Sequence, residues 1–392
     1  MIYAGVDIAK MDHVIGAVDE TGAEVARPMA FKNTEAGFER CIAWLESVAE
    51  SEDDVFVGME ATGHYWMACF AYLAAAGYRV CVVNPMQVHA MRRLKGLCGV
   101  KNDRIDSWLI AETLRQGDYD QTRLATDEVQ ALKRLTRYHQ GLKQELATVK
   151  TQAVCVLDAY FPEYAGLFSD MFGTASLKVL AECPTPSEAS RKRTSSIARL
   201  LSEGSHGRLG AERAAEIKSA AKSSVGIRLG EDAASFQIKT MVTQVEFLNR
   251  TIAKVEREVA SLLEKVEPNI TTVPGISTTT GAQIVAEIGD VKRFKGAASI
   301  VKYAGLNSGV DESGMFSAEG VPITKHGSPY LRRSLWLAAN RARQYDPRLK
   351  AFYDKKRREG KPHRVAVTAV ARKLCHVVYA VMRDGEPYDP GK

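Results

Sequence analysis

The spacing of apolar residues changes along this chain, and the change divides it into parts that must fold differently. Over about the first 120 residues, short runs with a period of two alternate with longer runs of helical period. From residue 132 onwards the apolar residues fall on alternating steps of three and four. This pattern requires an α/β part followed by a mainly helical part.

The N-terminal part is predicted to form a mixed sheet covered by helices. Strands are predicted at residues 2–8, 14–18, 24–31, 55–60 and 79–83. Helices are predicted at residues 35–49, 65–76 and 104–115. A turn signal at residues 19–22 predicts a hairpin, and the later elements alternate as βαβ units. A hairpin followed by such units indicates a mixed α/β sheet.

The central part contains two heptad series. The first series is Leu132, Leu135, His139, Leu142, Leu146, Val149, Ala153 and Val156. The second series is Ile238, Met241, Val245, Leu248, Ile252, Val255, Val259, Leu262 and Val266. Two long coiled-coil helices are therefore predicted, paired either with each other as an antiparallel hairpin or with a second subunit. Residues 161–230, with several proline breakers, are interpreted as a helical insert with mobile connections.

Three domains are expected from this pattern. They are an α/β domain at residues 1–125, a coiled-coil region at 126–268 that carries the insert, and a mainly helical domain at 269–392. The third domain opens on Val273-Pro274-Gly275-Ile276, which is typical of a helix-hairpin-helix turn whose N–H groups hold a DNA phosphate. Ser277 stands where such turns usually have a second glycine, so a plain helix N-terminus is the alternative.

Positive charge is concentrated near the C-terminal end. The whole chain carries 53 Lys and Arg against 47 Asp and Glu, a net charge of +6. Residues 324–373 alone hold 15 Lys or Arg and three acids, a net charge of +12. Such a block is typical of proteins that bind polyanions, because neutralising phosphates releases condensed counterions. A solvated basic surface is the alternative interpretation.

Composition also indicates where the protein works. No uninterrupted apolar run reaches the roughly 20 residues that a membrane helix needs, and Met1 leads directly into a strand-like segment instead of a signal sequence. The seven cysteines form no CxxC pair and are odd in number, as expected in a reducing compartment. We therefore expect a cytoplasmic protein without a membrane partner and without a zinc knuckle.

Two acidic residues end predicted strands in the same local setting. Asp7 follows Gly5 on the less apolar face of the first strand, and Glu60 follows Gly58 in the same way at residues 55–60. Each glycine leaves space beside the acid. Burying unpaired carboxylates is costly, so two such acids close together would require a cation. A turn-forming role is the alternative for either acid alone.

A second pair of acids begins the helix predicted near residue 104. Asp103 and Asp106 are three residues apart and project from one face. With Asp7 and Glu60 they would make a set of four carboxylates suited to two Mg²⁺ ions, hard cations that clamp a phosphodiester during in-line attack. Complementing the helix dipole is the alternative for this pair. Together with the +12 segment, the acids indicate metal-dependent phosphoryl transfer on nucleic acid.

These motifs resemble a known family. GVDIAK, MEATGHYW and KNDRIDSWLIAE, which contain the four acids, resemble the DEDD insertion-sequence transposases related to the Piv DNA invertase, including the bridge-RNA-guided recombinases. The resemblance continues in VPGIS, AEIGDVKRF, YAGLNSGVDESG and ITKHGSPYLRRSLWLAA. It covers about the first 120 residues and residues 271–384.

The resemblance implies a RuvC-like (RNase H-like) fold for the N-terminal domain. It implies that Mg²⁺ or Mn²⁺ is bound by four acids, namely Asp7, Glu60, Asp103 and Asp106. It also implies a C-terminal transposase domain whose Ser313 attacks DNA to form a covalent phosphoserine link, with the metal site of a neighbouring subunit completing the active site. Such a link conserves phosphoester energy for rejoining. The chain departs from the family pattern at Asn307-Ser308, where a proline is common, and at Ser277.

The partners expected for such a protein are DNA, as element ends and target, a structured guide RNA, and further copies of the chain in a dimer or tetramer. Eight basic residues are the expected nucleic-acid contacts: Arg92, Arg93, Lys101, Lys325, Arg332, Arg333, Arg341 and Arg343. Aromatic residues interleaved with the C-terminal members favour phosphate contacts combined with stacking on bases. For the members in the first domain, surface solubility is the alternative.

Other functions remain open at this stage. A Piv-like invertase or a Holliday-junction resolvase would use the same acids. A non-catalytic nucleic-acid-binding protein is disfavoured, because all four acids are present. A sugar kinase is disfavoured as well, since its phosphate loop needs glycines and a hydroxyl residue directly after the first acid, where this chain has Ile8-Ala9-Lys10.

Overall fold

A computed structural model describes residues 1–60, 63–99, 102–117, 119, 125–309, 312–313, 316–317 and 322–391. The chain divides into two compact units, Met1–Leu124 and Ala125–Lys392. Each unit has a hydrophobic core of its own.

The first unit is a mixed α/β unit, as the sequence predicts. Its strands are β1 (Ile2–Asp7), β2 (Asp12–Val18), β3 (Glu24–Lys32), β4 (Val55–Glu60) and β5 (Arg79–Val83). Its helices are α1 (Glu35–Val48), α2 (Trp66–Ala75), α3 (Pro85–Leu94) and α4 (Asp103–Arg115). The strands form one sheet in the order β3-β2-β1-β4-β5. β1 is antiparallel to β2 and parallel to β4, and β4 is parallel to β5.

The two faces of this sheet bury different side chains. Ala4 and Val6 of β1 and Val57 of β4 belong to a core that includes residues of α1 and α2. The opposite face packs against α3 and α4, where Phe56 meets Ile110 and other apolar residues. Successive side chains of a strand point to opposite faces. The strand residues that alternate with Ala4, Val6 and Val57, among them Gly5 and Asp7, therefore face α4.

Two glycines let α4 lie directly on the sheet. Gly5 and Gly58 are paired neighbours on β1 and β4. A Cβ atom added to Gly5 would lie 2.1 Å from the carbonyl oxygen of Ser107, and one added to Gly58 would lie 2.6 Å from a methyl carbon of Leu114. Any larger residue at Gly5 would therefore collide with the helix backbone. Gly5 and Gly58 were expected to leave space beside the acids. In the structure helix α4 occupies that space.

Helix α3 was not predicted from the sequence. It lies between the strand predicted at residues 79–83 and the helix predicted at residues 104–115. In the structure Asn84 is the N-cap of α3, its side chain accepts a hydrogen bond from the N–H of Met86, and Gln87 completes a capping box. Proline is favoured in the first helical turn because its missing N–H would be unpaired there anyway. The dipeptide Asn84-Pro85 thus ends β5 and begins α3.

The second unit is almost entirely helical. Its helices before residue 270 are α5 (Asp127–Tyr160), α6 (Thr174–Glu182), α7 (Pro186–Arg191), α8 (Thr194–Ser205), α9 (Ala211–Lys222) and α10 (Glu231–Val266). The remaining elements are α11 (Thr278–Ile288), α12 (Ala297–Tyr303), β6 (Glu312–Ser313), β7 (Phe316–Ser317), α13 (Pro329–Tyr345), α14 (Pro347–Arg358) and α15 (His363–Asp384). Strands β6 and β7 pair as a short antiparallel hairpin.

The two long helices α5 and α10 pack against each other within one chain. His139 near the start of α5 lies 2.9 Å from Glu256 near the end of α10. At the other end of the pair, Tyr160 donates a hydrogen bond of 3.2 Å to the carbonyl of Leu229. These contacts make the pair antiparallel. The heptads left open whether the two helices pair within the chain or with a second subunit. In the structure they pair within the chain.

Helices α6 to α9 are part of the main core of this unit. Tyr164, which follows α5, is fully buried and donates to the carbonyl of Ser176 at 3.2 Å. Leu180 of α6 and Ile217 of α9 are fully buried in the same cluster as Leu335 of α13. The helical insert and the C-terminal helices thus share one hydrophobic core.

The turn before α11 has a packing role. Gly275 adopts a φ of +87°, and a Cβ atom there would lie 2.3 Å from the backbone N of Ala342 in α13. Ser277 is the N-cap of α11, and its side chain accepts from the N–H of Thr280. The serine in the place of a second glycine therefore forms an ordinary cap, which favours the plain helix N-terminus over the phosphate-binding turn.

One helix in the described part of the chain has the length and composition of a membrane span. Helix α15 has 22 residues, with a mean hydropathy of 1.5 in its most apolar window. Its buried side carries Val370, Leu374 and Val378, which belong to the core of the second unit. Its sequence is interrupted by Arg372 and Lys373. The helix packs against α12, α13 and α14, as a core helix does.

Candidate carboxylate site and basic surfaces

The first two predicted acids end neighbouring parallel strands. The printed register of β1 and β4 runs to Val6 opposite Met59, so Asp7 and Glu60 occupy the next positions on the two strands. Adjacent strands are about 4.8 Å apart. Both acids are half-buried. The structure therefore brings Asp7 and Glu60 together at the carboxyl edge of the sheet, on the face that α4 covers.

The third acid lies in the first turn of that covering helix. Asp106 is 7% exposed and directly precedes Ser107, whose carbonyl packs on Gly5 of β1. Arg92 of α3 donates a hydrogen bond to Asp106 through its Nη2 atom. Because a buried carboxylate needs a compensating charge, Arg92 supplies the opposite charge that Asp106 requires in the interior. Arg92, expected as a nucleic-acid contact, is therefore engaged with a carboxylate.

The fourth acid is at the surface. Asp103 is the first residue of α4 and is exposed, and Asn102 caps the helix by accepting from the N–H of Ile105 at 2.8 Å. Within the described residues, no group of three or more His, Cys, Asp or Glu side chains is arranged as a metal-binding cluster. The four acids thus divide into an adjacent strand pair, a buried helical acid with an arginine partner, and an exposed helical acid.

A buried histidine supports the loop that follows Asp7. His13 of β2 is fully buried between the rings of Phe31 and Phe38. Its Nδ1 atom accepts a hydrogen bond from the N–H of Ala9 at 3.2 Å. Burial lowers the pKa of His13 below its usual value. The neutral ring therefore holds Ala9, two residues after Asp7, a role that sequence analysis did not assign.

Glu112 is a second residue that sequence analysis missed. It is 1% exposed and accepts hydrogen bonds from Arg115 Nε at 2.6 Å and Arg115 Nη2 at 2.7 Å. Lys95 of α3 lies 2.8 Å from the same carboxylate. These bonds, chiefly those from Arg115, lower the pKa of Glu112 to about 2. The spacing of Glu112 and Arg115, three residues apart on a helix, is the signal that would have predicted the pair.

The donor set at the carboxyl edge consists of carboxylate oxygens. Such oxygens are the ligands that Mg²⁺ and Mn²⁺ prefer, whereas zinc sites favour histidine and cysteine. Asp7 and Glu60 lie on adjacent strands, β1 and β4, and Asp106 lies on the helix that packs across these strands. The chemistry of this donor set fits a divalent cation.

The serine motif lies in the short hairpin of the second unit. Ser313 is the second residue of β6 and pairs with Phe316 of β7. The base of this segment is closed by a bridge between Ser308 and Ile323 and by a 2.9 Å hydrogen bond from Thr324 N to Asn307 O. Asn307 and Ser308, where the chain departs from the family pattern, thus take part in holding the hairpin.

The expected nucleic-acid contacts have different surroundings. Arg332 donates to the backbone carbonyls of Ala304 and Lys325, both at 3.1 Å, and so fastens the loop before α13. Arg343 donates to Asn340 at 3.0 Å and stacks on Tyr353. Both are therefore engaged within the protein. Four other members are exposed, namely Arg93, Lys325, Arg333 and Arg341. Lys101 lies outside the described residues.

Comparison with known proteins shows which family has these features. The model of a DEDD transposase family of IS110 type matches residues 4–162, and the model of the IS116/IS110/IS902 transposase family matches residues 267–354. The two ranges include the strands with Asp7 and Glu60 and the hairpin with Ser313. The chain belongs to the IS110 transposase family. The resemblance seen in the sequence motifs is thereby confirmed.

Several relatives align with this family member over nearly its whole length. It is 24% identical to the 43.6 kDa protein of insertion element IS110 from Streptomyces coelicolor, over 99% of this chain and 95% of the relative. It is 26% identical to the 42 kDa protein of insertion element IS900 from Mycobacterium paratuberculosis, over 99% and 97%. It is 22% identical to the pilin gene-inverting protein of Moraxella bovis, over 99% and 97%.

Proposed function

We propose that this IS110-family protein is a DNA recombinase that cuts and rejoins DNA to move an insertion sequence. Its substrates are the ends of the element and the target DNA. The observation that carries the proposal is the pairing of Asp7 and Glu60 on adjacent parallel strands, beneath a helix that carries Asp106. Membership of a transposase family and the basic C-terminal segment support the same activity.

The N-terminal unit is proposed to be a RuvC-like nuclease domain that works with Mg²⁺ or Mn²⁺. The residues that would hold the metal are Asp7, Glu60, Asp103 and Asp106. When bound, a divalent cation stabilises the charge that develops on a phosphodiester under attack. The neighbouring positions of the strand acids on β1 and β4 and the ion pair of Asp106 with Arg92 support this assignment. His13 fixes the backbone directly after Asp7.

Ser313 is proposed to be the nucleophile. Its hydroxyl oxygen would form a bond to the DNA phosphorus while the bond from that phosphorus to a sugar oxygen breaks, and the sugar leaves as a free hydroxyl. The serine proton passes to a base during attack. The resulting phosphoserine ester conserves the energy needed to join a new end. The position of Ser313 in a tight hairpin whose base is fastened by Ser308, Ile323 and Thr324 supports this role.

The remaining partners follow from the same proposal. A structured RNA guides the choice of DNA, and the exposed residues Arg93, Lys325, Arg333 and Arg341 contact nucleic acid. The active form is a homo-oligomer that works in the cytoplasm. The guide is tested by sequencing the RNA that copurifies with the protein and by searching it for segments complementary to the recombined DNA. Recombination by protein freed of all RNA would contradict this part.

The central test is recombination by variants that keep the fold. Asp7→Asn, Glu60→Gln and Asp106→Asn should each abolish strand exchange, and activity should be absent in EDTA. Asp12→Asn is the matched control, because Asp12 is an exposed acid on the neighbouring strand and should not matter. Ser313→Ala should abolish the covalent protein–DNA adduct seen on denaturing gels. Full strand exchange by that variant would remove serine from the mechanism.

An invertase is the second candidate, since a pilin gene-inverting protein aligns with this chain over 99% of its length. The two activities give different products from one plasmid substrate. Transposition inserts or excises the element, whereas inversion only reverses the segment between two sites. A junction resolvase would cleave without a covalent adduct.

A further inference from the structure

A basic cavity lies beside the base of the hairpin that carries Ser313. Its volume is about 610 Å³. One wall is formed by Lys361 and the first half of α15, and the other is formed by the two backbone segments that close the base of the hairpin. Its lining includes Ser308, Ile323, Lys361, Arg364, Val365 and Arg372. None of the basic residues here is among the expected nucleic-acid contacts.

Among the described residues that line the cavity, the charged side chains are all cations, namely Lys361, Arg364 and Arg372. The acid nearest in sequence, Glu359, is 2.7 Å from Lys356 and so already has a partner. Among the described residues, no ion pair within 4.0 Å is formed by any of these three cations. Repulsion between uncompensated cations favours the binding of an anion.

Arg372 is held in position at the back of the cavity. Its Nε atom donates to the carbonyl of Leu306 at 2.6 Å, and its Nη2 atom donates to the hydroxyl of Ser308 at 2.9 Å. These bonds orient the planar guanidinium and leave further N–H donors. Planar guanidinium groups match the oxygens of a phosphate. The first turn of α15 adds the positive end of a helix dipole.

Apolar side chains lie next to the cations. Val365 is 50% exposed, and Pro322 is exposed as well. Ile323 is half-buried on the same wall. A free inorganic anion has no apolar group that could contact these side chains, whereas a nucleotide places an apolar sugar and base face beside each phosphate.

We propose that the cavity lined by Lys361, Arg364 and Arg372 binds a phosphodiester of a nucleic acid strand, with the adjoining sugar or base against Val365 and Ile323. The inference rests on the proposed function and deepens it, because it assigns a particular strand contact beside the serine hairpin. A strand held there would also hold the base of the hairpin, since Arg372 lines the cavity and donates to Leu306 and Ser308.

The test is a salt titration of binding by the full-length protein. The probes are a labelled single-stranded DNA and an RNA of the same sequence. In the double variant Lys361→Gln/Arg364→Gln, the plot of log affinity against log salt should become less steep by about 0.7 for each lost phosphate contact, hence by about 1.4. Both residues are exposed, so folding is unaffected. Lys222→Gln, an exposed cation on α9, is the control and should keep the wild-type slope.

A second variant tests the apolar wall. Val365→Ser should weaken binding by about fivefold at every salt concentration while the slope stays at its wild-type value. A reduced slope in only one of the two probes assigns the cavity to that strand, and a reduced slope in both assigns it to the shared phosphodiester. If the double variant keeps the wild-type slope with both probes, the inference is overturned. If that variant also recombines DNA at the wild-type level, the proposed function still stands. Wild-type protein that binds neither probe overturns both.

Discussion

Arg92 on α3 donates to the buried carboxylate of Asp106 on α4, so an acid expected to bind metal already has a positive partner from the neighbouring helix. The side chains of the two residues are 16% and 9% exposed. In a site so shielded from water, the charge of Asp106 must be compensated by either the arginine or a cation. The pair therefore contributes to the stability of the first unit, and a metal bound as proposed would be coupled to that stability.

Arg92→Gln should destabilise the first unit when no metal is present. Removing one partner of a buried ion pair costs about 3 kcal/mol, because the other charge stays behind. Mn²⁺ should restore part of this loss by supplying the missing positive charge. Thermal unfolding in EDTA and in Mn²⁺ measures both effects. Arg93→Gln, an exposed change on the same helix, is the control. Equal melting temperatures for the two variants in EDTA would show that the pair contributes nothing.

Gly5→Ala should displace α4 from the sheet. The new methyl group would lie 2.1 Å from the carbonyl oxygen of Ser107 and 2.5 Å from the N of Ala111, and backbone cannot move aside as a side chain can. We expect a loss of at least about 2 kcal/mol of unfolding free energy, measured by urea denaturation. Gly141→Ala, on α5 with open space around the added methyl, should instead be neutral or stabilising. A Gly5 variant as stable as the wild type would refute the close packing.

Glu112 should make the first unit sensitive to acid. Its pKa is lowered from the ordinary 4.5 to about 2, chiefly by hydrogen bonds from Arg115. The unfolded chain therefore takes up this proton first, and the stability that Glu112 contributes is full above about pH 4.5 and is lost as the pH falls towards 2. Glu112→Gln should be less stable than the wild type at neutral pH, and the difference should shrink across that window. Unfolding free energies measured against pH check this, with the exposed Glu46→Gln as control.

His13 should destabilise the first unit when it is protonated. Burial lowers the pKa of His13 below the ordinary 6.5. The folded state therefore resists a proton that the unfolded chain accepts, so stability is full above pH 6.5 and falls as the pH drops below it. His13→Asn keeps a hydrogen-bond acceptor for the Ala9 N–H and should flatten the stability curve in that range. His89→Asn changes an exposed histidine and should leave the curve as it is. A pH dependence unchanged in His13→Asn would contradict the assignment.

The strands of the first unit could be predicted because each has a clear apolar face. Ala4 and Val6 alternate with Gly5 and Asp7, and the structure buries the first pair against α1 and α2. Helix α3 could not be predicted in the same way. Its signals, Asn84 and Pro85, are shared by strand ends and helix starts, so the dipeptide alone does not distinguish the two.

The candidate site was predictable in part. The order of acids along the chain predicted which of them belong to the candidate site. The parallel pairing of β1 and β4 places Asp7 beside Glu60. The exposure of Asp103 and the pairing of Asp106 with Arg92 were not predictable, because they depend on where α3 lies. His13 was missed because burial by distant segments gives it its role, whereas Glu112 could have been found from its spacing to Arg115 on the same helix.

Local order and periodicity along the chain are determined by the sequence itself: which segments become strands, which become long helices, and which acids stand at strand ends. These properties follow from spacing and from backbone preference, and both are carried by neighbouring residues. Only the tertiary structure decided which charges are buried together and which face of each element is covered. Those outcomes depend on packing between segments far apart in sequence, where the cost of removing a charge from water selects its partner.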